Sequence, residues 1–282
     1  MKFFALLLLA GFVTLSAVVA SAQPSETVPV TLLSDIHFDP FHEPAKVRQL
    51  AQAPVSQWRS ILSARPFSNQ EEAFAALQQS CHARGVDTPY VLLRSSLEAM
   101  RERQPNAKFM IVSGDLIVHN FSCRYTTLLP ASKPSEYQAF VLKTLSFVMG
   151  ELRARFPGMA VYVSLGNNDS ACGDYRLDME SDFLAQTAQI VAAGLPATLS
   201  ATARQQAIHE FAKGGYYSVM MGAPMHKTRL IVINDVFLSP NYRTCAGKTD
   251  AAAPACRVAG VWPDAVGSRP RRGPRGRRRC GS

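Results

Sequence analysis

Short apolar runs punctuate the chain, and longer stretches with helical spacing separate them. The runs 28–33 (VPVTLL), 108–112 (KFMIV) and 160–165 (AVYVSL) are rich in apolar residues and bounded by turn chemistry, which predicts buried strands. The runs 216–221 (YYSVMM) and 229–236 (RLIVINDV) predict two more, close enough in sequence to be neighbours. Apolar residues recur at helical spacing over 71–79, 90–103, 135–156, 179–193 and 201–212. Pro134 near its start and Pro157-Gly158 after its end frame the helix predicted over 135–156. The segment 41–70, rich in Pro, Ser, Gln and Ala, has no period and reads as a long irregular excursion. Strands alternating with helices predict an α/β fold, with a sheet covered on both faces.

Each of the first three strands delivers polar chemistry to the loop behind it. Ser34-Asp35-Ile36-His37 follows the first, Ser113-Gly114-Asp115 the second, and Gly166-Asn167-Asn168-Asp169 the third. Gly-Asn or Gly-Asp alone is ordinary turn chemistry. Three such loops behind three hydrophobic strands can converge, because ligands of open α/β sheets gather beyond the carboxyl ends of strands. Asp35, His37, Asp115 and Asn167 are therefore candidate metal ligands. A carboxylate can bridge two cations through its two oxygens, whereas an imidazole offers one nitrogen and an amide one oxygen. This mixed set suits zinc, manganese or iron better than calcium or copper(I). Two such ions side by side can clamp phosphate oxygens during in-line displacement.

The ordered motifs resemble those of the calcineurin-like metallophosphoesterases, whose pattern runs D-x-H, then G-D, then G-N-H-D/E. The likeness is strongest to the acid sphingomyelinase-like branch. LLSDIHFDP resembles its first block, GDLIVHN places His119 four residues after Asp115, and DTPYVLLRSSLEAM (87–100) resembles the intervening helix. The resemblance covers residues 28 to 238. It implies a layered sandwich of mixed β-sheets flanked by helices, and two divalent metal ions (zinc, manganese or iron). Asp35 and His37 would hold one ion, Asp115 would bridge both, and Asn167 would hold the second. The implied activity is hydrolysis of a phosphomonoester or phosphodiester by a metal-bound hydroxide, with a phosphate-ester substrate as the partner. His119 would act as general acid on the leaving-group oxygen.

Asn168 stands where many relatives carry a histidine; its amide can donate a hydrogen bond to phosphate but cannot deliver a proton. Asp39 and Asp169 are expected to orient the loops rather than bind metal. G-N-N-D also resembles the version in polyphosphate-cleaving relatives. A polyphosphate- or nucleotide-cleaving hydrolase is thus the alternative enzyme, and an inactive metal- or phosphate-binding fragment the non-enzymatic alternative. The family's later histidine ligands find no counterpart: His209 lies in a helical stretch and His226 in the loop GAPMHK. Both, like His42 and His82, are expected to be structural or solvated.

Composition changes the picture in two places. Lys2, the apolar run 3–20 and Ala20-Ser21-Ala22 fit a cleavable export signal over 1–22. The expectation is a secreted or periplasmic protein without a transmembrane anchor. Its six cysteines can then pair. Cys245 and Cys256, which bracket a polar loop, are the easiest pair to propose, and no C-x-x-C spacing points to a cysteine metal site. The net charge of +9 is concentrated in the tail: seven arginines and one aspartate from Ala259 onward give +6, leaving 9 − 6 = +3 elsewhere. With no interleaving of basic and aromatic residues, no specific nucleic-acid partner is expected. The chain thus divides into the signal (1–22), a phosphoesterase domain (23–258) and a basic Arg/Gly/Pro tail (259–282) that cannot build a core. A basic arm for nucleic acid or anionic lipid is one reading of that tail; the preferred reading is a reading-frame change or truncation near 259–264, which would remove the family's remaining strands and histidines.

Overall fold

The computed structural model describes residues 27–249. The export signal read over 1–22, the tail read over 259–282, Cys256 and Cys280 lie outside the described residues. Three of the apolar runs form a parallel sheet in the order β1 (Val30–Leu33), β2 (Phe109–Val112) and β3 (Ala160–Val163). The register pairs Leu33 with Val112 and Val112 with Val163, so all three strands end level with one another. That register puts the three polar loops side by side at one sheet end.

Helices make the crossovers that parallel strands require. Between β1 and β2 run α1 (Val47–Gln52), α2 (Trp58–Ser63), α3 (Gln70–Ser80) and α4 (Tyr90–Arg103). Between β2 and β3 run α5 (Phe121–Leu128) and α6 (Pro134–Arg155). The excursion expected to be irregular over 41–70 is instead folded, with α1, α2 and two 3-10 turns, Pro44–Lys46 and Val55–Gln57. Six-residue helices are shorter than the window in which a 3.6 period can be recognised. They are held by packing: Trp58 is fully buried, sits against Phe140 and Phe147 of α6, and donates its indole N–H to the Leu50 carbonyl at 3.0 Å. Replacing such an aromatic by alanine typically costs about 3–5 kcal/mol. The helix α5 was likewise not expected from the sequence.

After β3 come α7 (Asp182–Ala192) and α8 (Ala201–Gly214), each begun by a serine whose hydroxyl accepts a backbone N–H: Ser181 from Leu184, Ser200 from Ala203. That cap is why α7 starts after Ser181 rather than at 179. β4 (Tyr217–Met220) and β5 (Arg229–Val232) form an antiparallel hairpin. The strand expected over 229–236 stops at Val232, because the Asn234 side chain accepts from the Val236 N–H and starts a 3-10 turn, Asp235–Leu238. The hairpin docks beside β3. Val163 donates its N–H to the Tyr217 hydroxyl at 3.0 Å, and Ser164 Oγ donates to the Ile233 carbonyl at 2.8 Å.

Two disulfides cross-link the described residues. Cys81–Cys123 joins the end of α3 to α5, and Cys172–Cys245 joins the loop after β3 to the stretch beyond the hairpin. The proposed Cys245–Cys256 pairing is therefore wrong: Cys245 is taken by Cys172. Sequence proximity favoured Cys256, but the fold brings the loop after β3 back to residue 245 through the bonds Leu177 N–H to Arg243 O and Arg243 N–H to Tyr175 O. Among the described residues no helix is long and apolar enough to cross a membrane.

Candidate active site

Asp35, Asp115 and Asn167 follow within two to four residues of the paired strand ends Leu33, Val112 and Val163. The loops are stitched together by backbone bonds: Asp35 N–H to Gly114 O at 3.2 Å, His37 N–H to Asp115 O at 2.9 Å, and Phe38 N–H to Leu116 O at 2.8 Å. Gly114 and Gly166 face one another at the crossing. A Cβ on Gly114 would lie 2.6 Å from the Gly166 Cα, so these glycines serve close backbone approach. Asp35, His37 and Asp115 all adopt positive φ, at 53°, 43° and 52°. Left-handed backbone at three non-glycine residues costs free energy and gathers where surrounding structure enforces it, commonly at functional sites.

The side chains converge as well. His37 Nδ1 lies 3.2 Å from the Ile117 carbonyl, which can only accept, so Nδ1 carries a proton and in the neutral ring Nε2 is the nitrogen with the electron pair. That Nε2 stands 3.5 Å from Asp35 Oδ1 and 4.0 Å from Asp115 Oδ2. Ligand atoms of Asp35, His37 and Asp115 all lie within 4.8 Å of one another. The other Asp115 oxygen accepts the Asn168 N–H at 2.9 Å. Asn167 donates its amide to Asp174 Oδ1 at 2.6 Å, which leaves its carbonyl oxygen uncommitted. Asp35, Asp115 and Asn167, with Tyr175 and Asp235, line one cleft of about 440 Å³.

His119 sits on the other side of His37. The two imidazoles stack with centroids 4.0 Å apart and planes 20° from parallel. His119 Nδ1 is 2.7 Å from Asp87 Oδ1. Asp87 is held in turn by Arg124, whose Nη2 donates to Asp87 Oδ2 at 3.0 Å while Nη1 donates to Asp39 Oδ2 at 2.7 Å. Arg124 and Asp39 are wholly buried. Burial pushes the Asp39 carboxyl up to about 6, although the Arg124 guanidinium beside it pulls the other way. A second cleft, about 730 Å³, opens here and is lined by His82, Arg84, Asp87, His119, Asn168 and Asp174 among others. Asn168 is buried, and its amide nitrogen has no hydrogen-bond partner.

Asp39 and Asp169 behave as braces. Asp39 accepts the Phe41 N–H at 2.8 Å. Asp169 accepts three backbone N–H groups, from Gly166, Leu116 and Ile117, which ties the loop after β3 to the loop after β2. Burial nevertheless raises the Asp169 carboxyl to about 7, against those N–H donors and helped by the nearby Asp115 charge. His209 and His226 are exposed and belong to neither group of clustered ligand residues; His42 packs on Phe74.

No protein-family profile matches the chain. Individual proteins do. Over 221 residues the chain is 26% identical to acid sphingomyelinase-like phosphodiesterase 3b of Mus musculus, covering 77% of this chain and 40% of the relative. It is 27% identical over 202 residues to the Homo sapiens protein of that name, covering 72% and 37%. It is 27% identical over 167 residues to sphingomyelinase phosphodiesterase C of Dictyostelium discoideum, covering 59% and 32%. Over these stretches the chain is similar to acid sphingomyelinase-like phosphodiesterases. It spans about two fifths or less of the length of these curated relatives.

In this chain the sequence motifs point to the ligand loops and His119 but not to Asp87, Arg124, Asp174 or Tyr175. Asp87 had a signal: it opens the DTPY stretch that carried part of the resemblance. Arg124 had none, since a fully buried arginine is indistinguishable in sequence from a helix-surface one.

Proposed function

We propose that the chain is a metal-dependent phosphodiester hydrolase whose centre lies at the carboxyl ends of β1, β2 and β3. The observation that carries this reading is the meeting of Asp35, His37 and Asp115, whose ligand atoms lie within 4.8 Å of one another, with His37 Nε2 at 3.5 Å from Asp35 Oδ1 and 4.0 Å from Asp115 Oδ2. Two carboxylates and an imidazole nitrogen meet there, and the mutual repulsion of the carboxylates is relieved by a cation. The oxygen and nitrogen set fits zinc, manganese or iron. Asp35 and His37 would hold one ion, Asp115 would be shared, and the Asn167 carbonyl would face the second. When bound, divalent ions supply an activated water and offset phosphate charge.

The protein's own groups do the rest. The Asn168 amide, buried and unpartnered, donates to a phosphate oxygen. His119, protonated on both nitrogens, gives its Nε2 proton to the departing oxygen while Asp87 holds Nδ1. The accompanying architecture in this proposal is a layered α/β sandwich within one phosphoesterase domain over 23–258. Export to an oxidising compartment is supported by the two disulfides. The test is turnover of bis(p-nitrophenyl) phosphate by EDTA-treated protein before and after zinc or manganese is restored. Metal-restored turnover that His37→Ala abolishes supports the reading, and metal-independent turnover opposes it.

A second reading, cleavage of a nucleotide or polyphosphate, is favoured by the exposed Arg84 in the cleft beside His119. It predicts that Arg84→Ala raises KM for a nucleoside triphosphate more than for the aryl diester.

A further inference from the structure

Arg124 is the least expected group near the site. It is fully buried, it is reached from two loops, and its two terminal nitrogens serve two different carboxylates. Stability alone does not account for it. A buried ion pair repays its desolvation poorly, and apolar replacements of similar volume are often neutral or stabilising. The connectivity suggests what else it does. Asp39 lies two residues after His37, and its carboxylate is fixed by the Phe41 N–H and by Arg124 Nη1. Asp87 lies on the approach to α4, and its two oxygens are divided between Arg124 Nη2 and His119 Nδ1. Arg124 itself sits on α5, which begins directly after His119 and is anchored to α3 by Cys81–Cys123. The guanidinium therefore links the His37 loop to the carboxylate that grips His119. The two imidazoles that this link joins are stacked on one another.

We infer that Arg124 is a positioning residue that fixes the orientation and tautomer of His119 through Asp87. The inference rests on the reading of His119 as the general acid. With one Asp87 oxygen held by Arg124, the other is aimed at Nδ1 and keeps the proton there, so Nε2 is the nitrogen presented to the second cleft. Without Arg124, the Asp87 carboxylate turns, the His119 ring is released, and the proton is delivered from the wrong place. Lysine is no substitute, because one ammonium cannot span two carboxylates as the planar fork does.

The experiment uses the full chain with three changes. Arg124→Lys keeps the buried charge. The Asp39→Asn, Arg124→Met double variant removes charge from both buried partners, so no unpaired carboxylate is left in the interior. His119→Ala is the reference. The first readout is the nitrogen-15 histidine spectrum of metal-free protein. In the neutral ring, reached at the alkaline end of a pH series, the unaltered chain should show His119 as a single tautomer with the proton on Nδ1, and both Arg124 variants should show a mixture. The second readout is turnover of diphenyl phosphate, with its poor leaving group, against bis(p-nitrophenyl) phosphate. Both Arg124 variants should lose activity on the phenyl ester selectively, by about 10–100-fold, part of the full effect of a general acid.

A single unchanged tautomer, or equal losses on both esters, would overturn the positioning role while leaving His119 as the acid. If His119→Ala itself loses both esters equally, the acid assignment fails, and the positioning role falls with it.

Discussion

The two sides of His37 are built differently. On the His119 side, Asp87, Arg124 and Asp39 form a chain of charge-assisted bonds at 2.7–3.0 Å that ends on the His119 ring, beside α5 and a disulfide. On the other side, Asp35 keeps 64% of its side chain exposed, and Asn167 has only Asp174 as a side-chain partner. The difference matches what each side would have to do. A proton donor must be held at one angle before the substrate arrives. Ligands to an ion need only a preset backbone, because the ion itself draws the side chains together. The strain sits accordingly, in the left-handed backbone of Asp35, His37 and Asp115.

The comparison can be broken from either side. The largest loss is expected from Asp115→Asn, which removes the one charged group that, in the proposed centre, two ions would share. Metal affinity, measured by competition with a chelator, should fall by more than about 100-fold, beyond the range for groups that merely support a ligand. The melting temperature of the metal-free chain should barely change.

Next comes His119→Ala. Turnover of diphenyl phosphate should fall by about 10²–10⁴-fold, while the nitrophenyl diester loses far less and metal content stays constant. Equal losses would make His119 a packing group.

Asp39→Asn should reverse the profile, striking the fold rather than the metal. Cutting one arm of a buried pair leaves Arg124 partly unpaired and should cost about 3 kcal/mol. For a chain of this size that is roughly 6–12 °C in Tm by calorimetry. An unchanged Tm would mean that the braced side is not braced.

The smallest change is expected from the Cys172→Ser, Cys245→Ser double variant. That disulfide closes the loop whose Tyr175 N–H bonds the Asn167 backbone carbonyl at 3.0 Å. Loosening it should weaken metal binding by less than about tenfold, since Asn167 is held only through its neighbours. A loss as large as that of Asp115→Asn would move Asn167 from the edge of the centre to its middle.

How much of this was legible in sequence follows the same divide. Asp35, His37, Asp115 and Asn167 were readable because each lies just behind a hydrophobic strand, and parallel strands in register bring such positions together. The five strands and the longer helices were readable from their periods. The braces were not. Arg124 meets Asp39 and Asp87 across 85 and 37 residues of sequence, and no local pattern encodes that meeting. The same holds for Cys172 and Cys245, 73 residues apart, where proximity in sequence pointed to the wrong partner. The short helices α1 and α2 escaped because their stability comes from Trp58 and α6 rather than from their own six residues.

The central claim is that the loops behind β1, β2 and β3 hold divalent metal. Elemental analysis of the purified full chain, with zinc and manganese titrated calorimetrically into the EDTA-treated protein, tests it directly. The account predicts about one tightly held ion per chain on Asp35, His37 and Asp115, a weaker second near Asn167, and loss of the tight ion in His37→Ala. A chain that takes up no metal, or one whose tight binding survives His37→Ala and Asp115→Asn together, would contradict it.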